Sequence, residues 1–170
     1  MISVTPPDGA IVERLESDAD LNLVAALEAR CFTNPWTRDM LARELANSSV
    51  AHVFILRLPG YPIAAFCSCW IIGDELHINT MAVDYPHRRR GLGRYLMAWV
   101  MGEAARRGAR RATLEVRKTN DAARRLYESI GFLVTATRPG YYTNPDDDGL
   151  ILWREGLTDL NYPESWSRQS

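Results

Sequence analysis

From Met81 to Met97 the chain reads MAVDYPHRRRGLGRYLM. A strand-like run gives way after Val83 to three consecutive arginines, Arg88, Arg89 and Arg90. Gly91-Leu92-Gly93-Arg94 then opens a helical pattern. Two glycines so placed let backbone N–H groups approach an anion closely. The helix N-terminus adds its unpaired donors and partial positive charge, and the arginines add charge-assisted hydrogen bonds. The element suits a diphosphate. It lacks the Lys-Ser/Thr of a P-loop and the third glycine of a dinucleotide-binding turn, which disfavours ATP and NAD.

The pattern extends outward in both directions. Downstream, Leu92, Tyr95, Leu96, Trp99 and Val100 keep helical spacing between Gly91 and Gly108, whose glycine suits a C-terminal cap. Ala112–Val116 reads as a strand, and Asn120–Ile130 as a helix ended by Gly131. Phe132–Tyr142 and Leu150–Arg154 make a last strand pair joined through Asn144-Pro145-Asp146-Asp147-Asp148-Gly149. Upstream, Val50–Leu58, Ile63–Ile72 and Glu75–Val83 are separated by Pro59-Gly60 and Gly73-Asp74, turns short enough for an antiparallel meander. Before them lie a strand at Ile11–Leu15, a helix capped by Ser17 with Asp20 as its box partner, and a second helix, Arg38–Ala46, capped by Thr37. The order β-α-α-β-β-β-α-β-α-β-β defines a layered α/β fold with a mixed sheet.

The strand leading into the arginines is out of phase with itself. Leu76 and Ile78 are apolar at even positions, Met81 and Val83 at odd ones. One extra residue near Asn79-Thr80 reconciles the halves and predicts a β-bulge that splays the strand and frees backbone groups. The plain alternative is a strand buried on both faces, where phase carries little information.

Composition sets the outer bounds. The 170 residues, 46% apolar and 24% charged, correspond to one soluble globular domain. Its core is expected over about 11–155, with loosely attached ends at about 1–10 and 156–170. No stretch approaches the ~20 apolar residues of a membrane helix, and the first residues do not read as a secretory signal, so a cytoplasmic protein is expected. The net charge of -1 conceals an asymmetry: Arg88–Arg125 holds twelve Arg or Lys and three acids, which suggests a local polyanion site. Cys31, Cys67 and Cys69 show neither disulfide nor zinc spacing, and Cys67 and Cys69 read as buried strand thiols. His52, His77 and His87 are scattered, and no metal site is expected.

The run quoted above, followed by LEVRKTNDAARRLYESIGF at 114–132, resembles the GCN5-related N-acetyltransferase (GNAT) superfamily. Within it the chain is similar to the bacterial ribosomal-protein-alanine N-acetyltransferases, the RimI group, over roughly Phe32 to Trp153. The resemblance implies an acyl-CoA N-acyltransferase fold: a mostly antiparallel mixed sheet of about seven strands, splayed at a bulged central strand and flanked by about four helices. It implies acetyl-CoA as co-substrate, with Met81, Ala82 and Val83 along the acetyl and pantetheine arm. Arg88, Arg89, Arg90, Gly91, Leu92, Gly93 and Arg94 would lie at the diphosphate, and Asn120 at the pantetheine. Asn120 and Tyr127, seven apart, are expected on one stripe of a single helix.

Transfer to an amine needs two proton-handling groups. An α-ammonium with a pKa near ~7.7–8.0 must lose a proton to attack, and the leaving thiolate benefits from receiving one. Strand alternation sets Glu115 opposite Leu114 and Val116, as the lone acid of its face. The resemblance implies that Glu115 is the general base and Tyr127 the general acid. The competing readings are a salt bridge with Arg117 for Glu115 and core packing for Tyr127. Phe32, Pro35 and Trp36 resemble the loop that shapes the family's peptide groove, and Tyr141-Tyr142 the paired tyrosines before the last strand. Core packing is the alternative for both.

Asp146-Asp147-Asp148 departs from the family pattern and is either a contact for a basic peptide or a solvated turn. Tyr162 and Trp166, in the tail, either dock on the domain or belong to a loose end. The expected function is direct acetyl transfer to the N-terminal Ala or Ser α-amine of a small-subunit ribosomal protein, by a monomer with no direct nucleic-acid role. The alternatives are a lysine or small-molecule amine acceptor, and a non-catalytic acyl-CoA-binding module.

Overall fold

The computed structural model describes residues 4–159. Eleven main elements follow the expected order: β1 (Ile11–Arg14), α1 (Asp18–Cys31), α2 (Arg38–Ala46), β2 (Ala51–Leu58), β3 (Tyr61–Ile72), β4 (Glu75–Val83), α3 (Leu92–Arg106), β5 (Arg111–Arg117), α4 (Asp121–Ser129), β6 (Leu133–Tyr142) and β7 (Asp147–Arg154). The strands form one seven-stranded sheet in the order β1-β2-β3-β4-β5-β7-β6, in which only β4–β5 is parallel. Among the described residues no helix is long and apolar enough to cross a membrane.

Local chemistry explains the helix starts. Ser17 Oγ accepts from the Asp20 N–H and Thr37 Oγ1 from the Met40 N–H, each relieving a donor that the first turn leaves unpaired. The middle of the sheet is buried on both faces. Along β2, Val53 and Ile55 join a cluster with Leu21, Val24, Leu27 and Leu41 of the first two helices, while Phe54 and Leu56 face the α3 side. Helix α3 is buried along most of its length, with Leu96, Met97, Val100 and Met101 sealed from solvent. Each such side chain contributes roughly 1.5–3 kcal/mol by leaving water.

The phase break in β4 is a bulge. Ser68 pairs with Thr80 and Cys69 with Ile78, so Asn79 is the extra residue. As a result Leu76, Ile78, Met81 and Val83 all pack against the α3-side core. Pairing between β4 and β5 runs only from Glu75↔Arg111 to Ile78↔Leu114 and stops where the bulge begins. Beyond that point β4 stays bonded to β3 and β5 to β7, and a cleft opens between them.

Two boundaries differ from the sequence reading. Asn120 is the N-cap of α4 and not a member of its stripe, because its Oδ1 accepts from the Ala123 N–H at 3.2 Å. The last strand begins at Asp147, inside the expected loop, because the acidic residues there are tied down. Asp147 accepts from both the N–H and the hydroxyl of Thr119, and Asp148 from the Gly140 N–H. These hydrogen bonds tie the turn to the β5–α4 loop and to β6.

Candidate active site

The cleft between β4 and β5 continues into a cavity of about 490 Å³ at the N-terminus of α3. Gly91 caps that helix with φ +78° and no side-chain hydrogen bond, so the first-turn N–H groups are left for another acceptor. Arg89, two residues earlier, is also left-handed, at φ +61°. A Cβ on Gly93 would stand 3.3 Å from Leu126 Cδ2 and 3.4 Å from Met81 Cε, so glycine there keeps the wall thin. Of the expected cofactor residues, Met81, Ala82, Val83, Arg88, Arg89, Gly91, Leu92, Gly93, Arg94 and Asn120 all line this cavity. Arg90 does not, and its guanidinium meets His87 Nδ1 at 3.0 Å instead. Arg88 is braced across the mouth by Val83 O at 3.0 Å and Cys31 Sγ at 3.4 Å.

The fit to a CoA-type ligand rests on three features. Residues 81–83 carry backbone groups with no β5 partner, matching the amide-bearing pantetheine arm. The uncapped helix start and its arginines match a diphosphate. The cavity is partly apolar, lined by Met81, Ala82, Val83, Leu92 and Leu126, as an aliphatic arm requires.

A second cavity of about 290 Å³ meets the first at Phe32, Met81, Asn120 and Ala123. Glu115 and Tyr127 both face it, with Phe32, Trp36 and Tyr142 of the expected acceptor residues; Pro35 and Tyr141 do not line it. Glu115 is the first β5 residue beyond the β4 pairing, which is why its side chain enters the opening. Its Oε1 lies 3.1 Å from Arg138 Nη1, and the Tyr141 hydroxyl bonds to the same carboxylate. The salt bridge of the competing reading is thus made, but with Arg138 rather than Arg117. Arg117 instead donates to Pro145 O at 2.7 Å and Thr143 O at 3.0 Å, and lies 4.5 Å over the Tyr142 ring. Asn34 Nδ2 donates to Thr143 O at 3.2 Å, tying the α1–α2 loop to the β6–β7 loop across the cavity mouth.

Tyr127 is buried, at 7% exposure, with its ring edge-on to Phe132 at 5.9 Å. Burial, helped by Cys67 and Tyr142 nearby, pushes its phenol well above the usual tyrosine range and keeps it protonated. Burial and the charge of Glu115 likewise raise Tyr142 to about 12. A protonated phenol and an ion-paired carboxylate thus share one cavity, an arrangement suited to moving a proton off an amine and delivering one to a leaving group.

Two polar residues of this cavity were not singled out from sequence. Glu28 is 2% exposed; its Oε1 accepts from the Trp36 N–H at 3.1 Å, and burial raises its pKa. It falls seven residues after Leu21, on the buried stripe of α1, and that spacing was the available signal. Asn79 enters through the bulge and had no sequence signal beyond the phase break.

The remaining expectations are placed as follows. Cys67 and Cys69 are buried and Cys31 half-buried, all as free thiols. Among the described residues no three His, Cys, Asp or Glu are grouped to hold a metal ion. Tyr162 and Trp166 lie outside the described residues.

A mixed seven-stranded sheet splayed between β4 and β5, with an arginine-rich helix start at one end of the cleft and a carboxylate and a buried phenol at the other, is the layout of an acyl-CoA N-acyltransferase fold. Residues 21–132 match the Acetyltransferase (GNAT) family, and the chain belongs to it. The chain is 34% identical to a putative [ribosomal protein bS18]-alanine N-acetyltransferase of Bacillus subtilis (strain 168), over 79% of this chain and 88% of that one. It is 33% identical to the [ribosomal protein bS18]-alanine N-acetyltransferase of Escherichia coli (strain K12), over 78% and 89%. The crystal structure of the ribosomal-protein-S18-alanine N-acetyltransferase from Escherichia coli superposes with a TM-score of 0.79 at 31% identity, covering 91% of this chain and 97% of that one.

Proposed function

We propose that this protein transfers the acetyl group of acetyl-CoA to the N-terminal α-amine of a protein, an alanine of the small-subunit ribosomal protein bS18 in the first instance. The observation that carries the reading is the shared cavity: Glu115 and Tyr127 face one space that opens directly onto the anion cradle. The similarity to bS18-alanine N-acetyltransferases supports the choice of acceptor, and a ribosomal acceptor implies work in the cytoplasm.

When bound, acetyl-CoA supplies a thioester carbonyl. Backbone groups of Met81, Ala82 and Val83 and the donors at the start of α3 hold the arm and the diphosphate, while Arg88, Arg89 and Arg94 balance the phosphate charge. Glu115 takes a proton from the α-ammonium, directly or through a water, so that the nitrogen lone pair can attack. Arg138 and Tyr141 keep the carboxylate oriented. Tyr127 donates its proton to the departing sulfur. Transfer is direct, and neither Cys67 nor Cys69 carries the acyl group, since both are buried and the Cys69 contact and burial raise the Cys67 pKa and keep it a thiol.

Mass spectrometry of a peptide panel tests the proposal. The panel contains peptides starting with Ala, Ser, Met or Gly, an N-blocked lysine peptide and spermidine. Acetylation of the free Ala or Ser α-amine supports it. Modification of only the lysine peptide or spermidine overturns the acceptor assignment and leaves the cofactor site standing.

A further inference from the structure

The acceptor cavity contains a second carboxyl group that the proposed mechanism leaves unused. Glu28 projects from α1 into its wall, and only one of its oxygens is satisfied, by the Trp36 N–H. Oε2 is sealed from bulk solvent and has no hydrogen-bond partner. Among the described residues no Lys, Arg or His forms an ion pair with it; the nearby cations are already engaged, Arg138 on Glu115 and Arg117 on the carbonyls of Thr143 and Pro145. A buried, half-satisfied carboxyl is costly unless something arrives to complete it. A brace for the α1–α2 loop would need only the oxygen that Trp36 already uses. The same wall holds a second such atom: Asn79 Nδ2, brought in by the bulge, is also buried without a partner. Two unmatched polar atoms in the wall of one cavity point to a ligand that is itself polar there.

Resting on the reading of this cavity as an acceptor site, we propose that Glu28 Oε2 is the docking group for the incoming N-terminal ammonium. The carboxylate accepts a hydrogen bond from the ammonium and holds the nitrogen in place, while the proton that must leave goes to Glu115. Burial raises the pKa of Glu28, and a cation beside it reverses that effect, so acceptor binding and ionisation of Glu28 reinforce each other.

Two probes test this together: a bS18-like peptide beginning with Ala, and the same peptide with a propionyl group replacing the alanine, which removes only the amine. Glu28→Gln keeps a carbonyl oxygen for the Trp36 N–H and so preserves the loop. The expected result is an acceptor KM raised about tenfold in Glu28→Gln with kcat changed far less, and an unchanged Kd for acetyl-CoA. In the wild-type protein the Ala peptide binds at least about tenfold more tightly than the propionyl peptide, and that ratio shrinks by about tenfold in the variant. A merely structural role weakens both peptides equally and overturns the assignment, as does an unchanged KM. The wild-type ratio stands independently of whether the variant folds, and equal binding of the two peptides to the wild-type protein also overturns it. Wild-type protein that leaves every α-amine peptide unmodified contradicts the acceptor reading itself, a result distinguishable from a failure of Glu28 alone.

Discussion

Replacing Tyr127 with Phe separates chemistry from folding. The ring is 7% exposed and packs edge-on to Phe132, and Phe reproduces that shape. The hydroxyl makes no hydrogen bond to the protein among the described residues, so none is lost, and the stability cost is expected below about 1 kcal/mol. What the substitution removes is a buried phenol that its surroundings keep protonated. General-acid assistance is typically worth about 10²–10⁴ in rate, or roughly 3–5 kcal/mol of barrier. Steady-state release of the CoA thiol, measured with a saturating Ala peptide, is therefore expected to fall by at least about a hundredfold in kcat. The Kd for acetyl-CoA and the melting temperature should stay close to wild type. A kcat within about threefold of wild type would refute the assignment of Tyr127 as the acid. A loss of activity that simply tracks a loss of fold would refute the reasoning about its packing.

Four further outcomes follow from the geometry. Glu115→Gln should lower kcat about a hundredfold at unchanged acetyl-CoA affinity, and wild-type turnover would place the base elsewhere. Gly91→Ala forces a side chain into a φ of +78° and should cost about 1–2 kcal/mol in urea unfolding, whereas Gly93→Leu intrudes on Leu126 and Met81 and should weaken acetyl-CoA binding in calorimetry by about tenfold or more. His52 is buried and its pKa is lowered to about 4, chiefly by burial and then by Arg14 and Arg107. The unfolded chain therefore binds the extra proton first, and stability present above about pH 6.5 is lost as pH falls toward 4, by about 2 kcal/mol between about pH 7.5 and 5. Urea titrations of the wild type and His52→Leu should show that part of the slope vanish in the variant.

Much of the fold was legible because its determinants are local. The caps at Ser17 and Thr37, the glycines after the helices and the turns at Pro59-Gly60 and Gly73-Asp74 fix boundaries within a few residues. The bulge at Asn79 was readable because one inserted residue flips every later side chain to the other face, and the apolar pattern on either side keeps a record of that flip. The cradle at Arg88–Arg94 was readable because it is contiguous. The acceptor cavity was less so, because it is assembled from α1, the α1–α2 loop, β4, β5, α4 and the end of β6, and no sequence window contains it. Arg138 pairs with Glu115 across 23 positions, while the nearer Arg117 turns away to carbonyls of the β6–β7 turn. Glu28 looks from sequence like one more acid of an amphipathic helix. Its burial follows only once Trp36 and the sheet close over it.

The most direct test of the account is tandem mass spectrometry of purified, unacetylated bS18 after incubation with the protein and acetyl-CoA. The account predicts one acetyl group, located on the α-amine of the N-terminal alanine, and its loss when Glu115→Gln and Tyr127→Phe are combined. Acetyl groups on lysine side chains with the N-terminus left free, or undiminished transfer by the double variant, would contradict it.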